Sequence, residues 1–240
     1  MTLTHVNCES NINTMRLQLP VIVTLIICVS ISACNQEGCT DILAVNYSNN
    51  ATIENGSCIY PFYAGAIEHG GVILELENPL EMSFVWDEES LYGFAELFLD
   101  LDADGNPDLN FSATTYNNDS LESIQQSGIP EYFNHLQVSP MNGYEILFNS
   151  INYYYGGGGT GVKDFVHPFM EGDRIDHLGD WSNLSLPMYH ENISEIIPFG
   201  PWYGITGVLY LSFRLDEKLG WIKCDMHNGL PTIHSIGFIQ

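Results

Sequence analysis

The chain has 240 residues, of which 30 are Asp or Glu and only 6 are Lys or Arg, so its formal net charge at pH 7 is −24. Hydrophobic residues make up 45% of it, which is the composition of a globular protein with a core. Nucleic acids are bound through Lys and Arg that neutralise phosphates, so this acidic chain is excluded as a DNA- or RNA-binding protein. An anionic membrane surface repels it for the same reason, unless a covalent anchor holds it there.

The first segment has the pattern of an export leader. Met15, the expected start, is followed by Arg16 and by an uncharged, largely apolar run that ends at Ser32. This run is shorter than the about 20 residues of a transmembrane helix, and its charge, apolar stretch and small residues are arranged as in a signal peptide. We therefore assign residues 1–33 to a leader that the mature protein lacks.

The leader ends in Ile31-Ser32-Ala33-Cys34, which resembles the lipobox of Gram-negative bacterial lipoproteins. The resemblance implies that Cys34 is lipidated, becomes the first residue of the mature chain and anchors the protein in a membrane. Asn35 stands where aspartate would mark a lipoprotein for the inner membrane, so an outer-membrane location is favoured, either periplasmic or surface-facing. The alternative is a plain secretory leader followed by a chance cysteine.

A short module is predicted after the leader, over residues 34–60. Once the leader is removed and Cys34 is assigned to lipid, Cys39, Cys58 and Cys224 remain for the folded part. In an oxidising compartment the close pair Cys39 and Cys58 is expected to form a disulfide. Closing a loop of about 20 residues stabilises a segment too small for its own core by about 3 kcal/mol.

The same module is similar to the GCTD…A.NY…A…GSC.Y repeat of secreted and surface proteins of Gram-negative bacteria. The resemblance covers about a tenth of the chain and implies a spacer or cap outside the cytoplasm, without an activity. The matching residues are Gly38, Cys39, Thr40, Asp41, Ala44, Asn46, Tyr47, Ala51, Gly56, Ser57, Cys58 and Tyr60.

Residues 61–240 are predicted to form one all-β domain. GFAELFLDLD and GVLYLSFRL alternate apolar with polar residues, and no stretch keeps a period of 3.6 residues. Short strands separated by Gly, Pro, Asn and Asp favour antiparallel sheets packed as a jelly-roll-like β-sandwich. A single short helix is predicted over Ser120–Gln126, and the run Gly156–Gly159 is predicted to be a loop.

The segment DLDADGNPD, residues 100–108, has the spacing of a calcium-binding loop, with Gly105 at the sharp turn. An EF-hand would need Glu where Phe111 stands, and helices where strands are predicted. The loop resembles the calcium loops of integrin-like and thrombospondin-type repeats, which implies a structural Ca²⁺. The predicted ligands are Asp100, Asp102, Asp104, the carbonyl of Asn106, and Asp108.

A solvated hairpin turn at Asp104-Gly105 is the alternative for this loop. Two carboxylates about 4 Å apart repel by about 1 kcal/mol in water and about 4 kcal/mol at the effective dielectric of a protein surface. Several converging aspartates would therefore strain the turn without a cation, which favours Ca²⁺ binding. Mg²⁺ is less suited, because it demands tighter octahedral geometry.

Two further features bear on chemistry. EGDRIDHLGDW places Asp173, Asp176, His177 and Asp180 around Arg174, which indicates a solvated loop with an ion pair, with a cation or acid-base site as the alternative. Cys224 falls on the apolar side of a predicted strand, and we expect a buried, unreactive thiol. The nucleophile-elbow, zinc-protease and phosphate-loop motifs are absent from the sequence.

Aromatic residues near the glycine run are candidates for stacking on sugars, namely Tyr154 and Trp181, although core packing explains most aromatics of a β-protein. The last 40 or so residues resemble the closing hairpins of other exported β-proteins with an early aspartate-rich loop, a resemblance that implies no activity. We expect a cell-envelope lipoprotein with a non-enzymatic surface, adhesion or structural role and a surface glycan or protein partner. Carbohydrate binding and a secreted glycan or ester hydrolase are the alternatives.

Overall fold

The computed structural model describes residues 36–66, 71–90, 92–115, 133–154, 159–192, 197–216, 218–227 and 229–239. These residues form strands, turns and irregular segments, so the predicted all-β class is confirmed. In this part of the chain, no helix has the length and apolarity needed to span a membrane. The leader, Cys34, the predicted helix Ser120–Gln126 and most of the run Gly156–Gly159 lie outside the described residues.

The described strands follow the chain from the stapled module to the C-terminal hairpins. Their bounds are β1 Glu37–Gly38, β2 Ile53–Glu54, β3 Phe62–Tyr63, β4 Gly71–Glu81, β5 Ser83–Asp87, β6 Tyr92–Leu99, β7 Leu109–Thr115, β8 His135–Pro140, β9 Glu145–Tyr154, β10 Thr160–Val166, β11 Arg174–Ile175, β12 Trp181–Ser182, β13 Leu186–Asn192, β14 Ile197–Phe199, β15 Gly207–Leu215, β16 Lys218–His227 and β17 Leu230–Ile239.

The N-terminal module is held by a disulfide and by hydrogen bonds around short strands. Cys39 and Cys58 are bonded, with their Cα atoms 4.7 Å apart, which confirms the predicted pair. The Glu54 carboxylate accepts hydrogen bonds from the backbone N–H and the hydroxyl of Thr40, at 2.7 and 2.9 Å. These bonds lower the pKa of Glu54. Covalent and polar links thus stabilise a segment that buries little apolar surface.

Two antiparallel sheets make up the main domain. The larger has seven strands in the order β10-β9-β15-β16-β17-β4, with β12 added on β9. The smaller has six, in the order β14-β13-β8-β7-β6-β5. The pairs β5-β6, β6-β7, β15-β16 and β16-β17 are antiparallel neighbours in sequence, as expected from short strands joined by turn residues, and β8 pairs antiparallel with β7.

The main hydrophobic core lies between these sheets. Leu99, Phe111 and Leu136 point into it from the smaller sheet, and Leu211 and Ile222 from the larger one, all at most 2% exposed. Burying a side chain of this kind stabilises the fold by about 1.5–3 kcal/mol. The architecture is therefore a β-sandwich, with alternating residues of each strand directed to the core.

A second core covers the outer face of the larger sheet. Tyr210 and Trp221 of that sheet pack against Phe62 and Ala64, which lie in and just after β3. The indole N–H of Trp221 also donates to the carbonyl of Ala66, at 3.1 Å. Alternation correctly places Tyr210 on the face opposite Leu211, but that face is buried rather than solvated.

Candidate metal centre

The aspartate loop joins β6 to β7 in the middle of the smaller sheet. The last residue of β6, Leu99, is the cross-strand partner of the first residue of β7, Leu109, and both are buried. The backbone N–H of Asp108 donates to the carbonyl of Leu99 at 2.7 Å, which closes the hairpin beneath the loop. The core thus holds both ends of the segment 100–108.

Three of the predicted ligands converge in this loop. One carboxylate oxygen each of Asp100, Asp102 and Asp108 lies within 4.8 Å of the other two. Oxygens that share one Ca²⁺ at 2.3–2.6 Å are at most about 5 Å apart, so the group has the span of a calcium site. Asp100 and Asp102 are exposed, whereas Asp108 is only 2% exposed. A carboxylate is rarely buried unless a charge or hydrogen bonds compensate it.

Backbone conformation shapes the loop around these oxygens. Ala103 and Gly105 have positive φ angles of 61° and 91°. A non-glycine residue pays about 1–2 kcal/mol for the left-handed conformation, so Ala103 stores strain in the turn. The Asp100 carboxylate accepts hydrogen bonds from the N–H groups of Asp104 and Gly105, at 3.2 and 2.8 Å. These bonds curl the chain around its first aspartate.

The remaining two predicted ligands bond to each other. The Asp104 carboxylate accepts hydrogen bonds from the backbone N–H and the side-chain amide of Asn106, at 2.7 and 3.1 Å. Both bonds lower the pKa of Asp104. Its oxygens are not part of the three-carboxylate group, so Asp104 is turned toward its local partner rather than toward Asp100, Asp102 and Asp108.

The electrostatics of the loop depend mainly on Asp108. Burial raises the pKa of Asp108, and the negative charge of Asp102 adds to this, while the hydrogen bond from the Leu101 N–H, at 2.7 Å, opposes it. The adjacent Tyr144 is also buried, and burial together with the loop aspartates raises its pKa to about 12. The negative charge of the loop thus shifts the pKa of a tyrosine outside it.

The turn after β8 supports the loop from one side. The Met141 N–H donates to the carbonyl of Asp108 at 2.7 Å, and the side-chain amide of Asn142 donates to the carbonyl of Pro107 at 2.9 Å. Asn142 itself has a positive φ of 51°, a conformation that asparagine tolerates better than most residues. Two hairpin turns are therefore joined through backbone carbonyls, and the Asn142 side chain also bonds to the Asp108 carboxylate, which lowers the pKa of Asp108.

The other predicted site residues have structural partners. Trp181 is half-buried beneath the Arg214 guanidinium, 4.9 Å from its ring centre, and its N–H donates to the carbonyl of His177. Arg214 in turn pairs with Glu145 across β15 and β9, at 2.5 Å. The side chain of Tyr154 lies outside the described part of the chain.

The acidic segment 173–180 contains the short strand β11 and turns, and two of its carboxylates accept hydrogen bonds from the backbone. Asp173 accepts from the Met170 N–H at 2.7 Å, and Asp176 accepts from the Leu178 N–H at 3.0 Å. Arg174, Asp176 and His177 also line a cavity of about 360 Å³ against the stapled module. Among the described residues, the metal-capable groups of three or more side chains do not include these residues.

An exposed row of aromatic rings was not singled out from the sequence. Tyr92, Phe94 and Phe98 point outward from β6 with 39%, 36% and 50% of their surfaces exposed, and Val85 lies opposite Phe94 at 49%. The sequence contained the pattern that predicts this row, because the alternation that buries Ala95 puts these rings on the other face.

Comparison with protein-family models, curated proteins and solved structures returned no significant match.

Proposed function

We propose that the protein is a cell-envelope lipoprotein, anchored through lipid on Cys34, whose β-sandwich is stabilised by a structural Ca²⁺ in the loop 100–108. Its role is a non-enzymatic one at the envelope, as a surface, adhesion or structural protein. The observation that carries the metal assignment is the convergence of Asp100, Asp102 and Asp108 within 4.8 Å, with the last of these buried.

The physical reason is linkage between ion binding and folding. Three anionic oxygens at this distance repel one another, and a divalent cation replaces that repulsion by attraction. An ion that binds only the folded state stabilises that state by RT ln(1 + [L]/Kd). Extracellular modules work with Kd values of about 10⁻⁴–10⁻³ M, so millimolar Ca²⁺ outside the cytoplasm fills such a site.

Metal content tests the assignment directly. After dialysis against about 1 mM CaCl₂ and 1 mM MgCl₂, we expect elemental analysis to find one Ca²⁺ per chain and little Mg²⁺. The triple variant Asp100→Asn, Asp102→Asn, Asp108→Asn keeps the shapes of these side chains without their charges, and it should retain no Ca²⁺. Wild-type protein without bound Ca²⁺, or a triple variant that binds as wild type does, would overturn the proposal.

Anchoring is tested separately from metal binding. The wild-type chain should sediment with membranes and be released by detergent, whereas Cys34→Ala should be recovered in the soluble fraction. Equal partitioning of the two proteins would refute the lipid anchor and leave the calcium assignment standing.

A second candidate function, carbohydrate binding, is favoured by the exposed row Tyr92, Phe94 and Phe98. Outward-facing residues two apart on a strand, such as Tyr92 and Phe94, are about 6.5–7 Å apart, and Phe98 follows on the same face beyond Glu96. Sugar rings can stack on such exposed aromatic faces. These residues are better suited than Trp181, whose face is covered by Arg214.

The control for this candidate separates ring stacking from apolar contact. The combined changes Tyr92→Leu, Phe94→Leu and Phe98→Leu retain apolar surface and remove the π faces, so binding on a glycan array should be lost. If the leucine variant binds glycans as well as wild type does, this second candidate is wrong.

A further inference from the structure

Two histidines from different strands meet on the outer face of the smaller sheet. His135 of β8 and His190 of β13 are cross-strand partners, and both are half-buried. Their Nδ1 atoms are 3.3 Å apart, their ring planes are perpendicular, and their ring centres are 5.3 Å apart. The aspartate loop uses neither residue.

Gln137 determines the protonation of the first ring. Its side-chain carbonyl Oε1 lies 3.0 Å from Nε2 of His135. Because an amide oxygen only accepts, Nε2 of His135 carries the proton, and in the neutral ring Nδ1 then has the free electron pair. A hydrogen bond of this kind to the distal nitrogen is the usual support of a metal-binding histidine, since it sets the tautomer and holds the ring.

We propose that His135 and His190 form a binding site for a divalent transition metal of the Zn²⁺ class, which both residues ligate through Nδ1. Two nitrogens at 2.0–2.1 Å from a tetrahedral zinc are about 3.3–3.4 Å apart, as the Nδ1 atoms are here. With each nitrogen about 1.2 Å from its ring centre, the same geometry puts the ring centres about 5.2 Å apart, close to the 5.3 Å in the structure.

A direct hydrogen bond between the rings accounts for the geometry less well. The 3.3 Å between the two Nδ1 atoms also fits a long N–H···N hydrogen bond, so the positions of the ring centres distinguish the two arrangements. In a linear N–H···N contact of that length the ring centres would also be about 5.7 Å apart. The ring centres are 5.3 Å apart, so the rings are inclined to the line that joins the two Nδ1 atoms.

The surroundings define the chemistry of this site. Burial lowers the pKa of His135 and so does the charge of Lys163, whereas the hydrogen bond with Gln137 raises it. Among the described residues, no third His, Cys, Asp or Glu completes a three-ligand group with the pair, so water or an external ligand takes the remaining metal positions. Imidazole ligands select Zn²⁺, Cu²⁺ or Ni²⁺, whereas the aspartate loop selects Ca²⁺.

Calorimetric titration with ZnCl₂ tests the proposal on the full chain, purified without a histidine tag and kept in excess CaCl₂ to fill the aspartate loop. We expect one Zn²⁺ per chain for wild type, and at least a tenfold weaker Kd for His135→Asn and for His190→Asn. His227→Asn, a change at an exposed histidine at the end of β16, is the matched control and should bind as wild type does. With CuCl₂ in place of ZnCl₂, electron paramagnetic resonance should show coupling to two imidazole nitrogens.

Two further variants separate metal binding from a purely structural pair. Gln137→Met removes the acceptor for Nε2–H and should weaken Zn²⁺ binding about 10–100-fold. Lys163→Gln removes a repelling charge and should strengthen it, an effect that a hydrogen-bonded pair without metal would not produce. Absence of Zn²⁺ binding by wild type, or equal Kd values for His135→Asn and His227→Asn, would overturn the proposal.

Discussion

Replacing Asp108 by asparagine tests the calcium assignment, because we expect the change in Tm relative to wild type to have opposite signs in a chelator and in Ca²⁺. The side chain is buried, and its carboxylate carbon becomes an amide carbon of nearly the same shape. The oxygen that accepts the Leu101 N–H at 2.7 Å is retained. In the presence of a chelator the variant loses an unfavourable charge, and also one acceptor oxygen of a carboxylate that bonds to the Asn142 side chain and the Asp102 N–H, whereas in Ca²⁺ it loses a ligand.

The magnitude follows from the distances in the loop. A pair of unit charges 4.8 Å apart repels by about 0.9 kcal/mol in the dielectric of water and by about 3.5 kcal/mol at an effective dielectric of 20. Asp100 and Asp102 are exposed, so the lower repulsion energy applies to the pairs that each forms with Asp108. Removing the charge of Asp108 relieves both repulsions and stabilises the variant in chelator by about 1–2 kcal/mol. For a domain of this size that raises Tm by about 2–8 °C.

In about 10 mM Ca²⁺ the expectation for wild type is different. With Kd between about 10⁻⁴ and 10⁻³ M, binding adds about 1.4–2.7 kcal/mol to the free energy of unfolding, which is about 3–11 °C in Tm. The Asp108→Asn chain should gain much less, because it has lost one of three carboxylates.

Thermal unfolding followed by circular dichroism, in EGTA and in CaCl₂, measures both effects. Asp225→Asn removes one charge from β16 of the larger sheet and controls for general effects of net charge. It should respond to Ca²⁺ as wild type does. The calcium assignment is wrong if Ca²⁺ raises the Tm of Asp108→Asn as much as that of wild type, and the estimated charge repulsion is wrong if Asp108→Asn melts below wild type in EGTA.

Three further outcomes follow from the packing and titration of single residues. Burial lowers the pKa of His167, whose Nδ1 accepts a hydrogen bond from the Asn149 amide at 2.6 Å, so the free energy of unfolding should be highest above about pH 6.5 and fall as the pH drops toward the folded pKa. Urea unfolding should show a weaker dependence on pH for Asn149→Asp than for wild type, and equal dependences would contradict this expectation. An added Cβ at Gly220 would lie 2.1 Å from the ring of Phe213, so Gly220→Ala should lower the free energy of unfolding by about 1–3 kcal/mol in denaturant titrations, and an unchanged midpoint would show that the ring moves freely. Burial raises the pKa of the Cys224 thiol, so native protein at pH 8 should react with a thiol reagent only after addition of urea, and rapid labelling without urea would contradict the burial.

The alternation of apolar and polar residues predicted the strands well, because it depends only on neighbours along the chain. In β6 the period of two correctly separates Ala95 and Leu99, which are buried, from Phe94 and Phe98, which are exposed. The pattern works here because one face of the smaller sheet meets the core and the other meets solvent. The disulfide between Cys39 and Cys58 was predictable for a related reason, since few cysteines were left to pair.

The aspartate spacing predicted a site whose inner arrangement depends on competition within the loop. Asp100, Asp102 and Asp108 converge, whereas Asp104 turns to the N–H groups of Asn106. An aspartate bonds readily to the backbone two residues on, and such a bond competes with a ligand position that spacing alone would assign.

The histidine pair was beyond sequence reasoning. His135 and His190 are 55 residues apart and show no metal-ligand spacing. They become neighbours because β13 pairs with β8 in a register that shifts by one residue at a bulge between Pro187 and Tyr189. Such a shift moves every later side chain relative to its partner strand, and only the packed sheets determine where it falls.

The amino-acid sequence by itself determined which segments extend, which turn, where the chain is cross-linked and where negative charge collects, because these depend on neighbours along the chain. Tertiary structure decided what lies against each strand. Tyr210 and Trp221 occupy a face that alternation alone would expose, and the segment around Phe62 and Ala64 covers it with a second core. Burial is a property of surfaces brought together from distant parts of the chain, so it was settled only when the sheets and the covering segment packed.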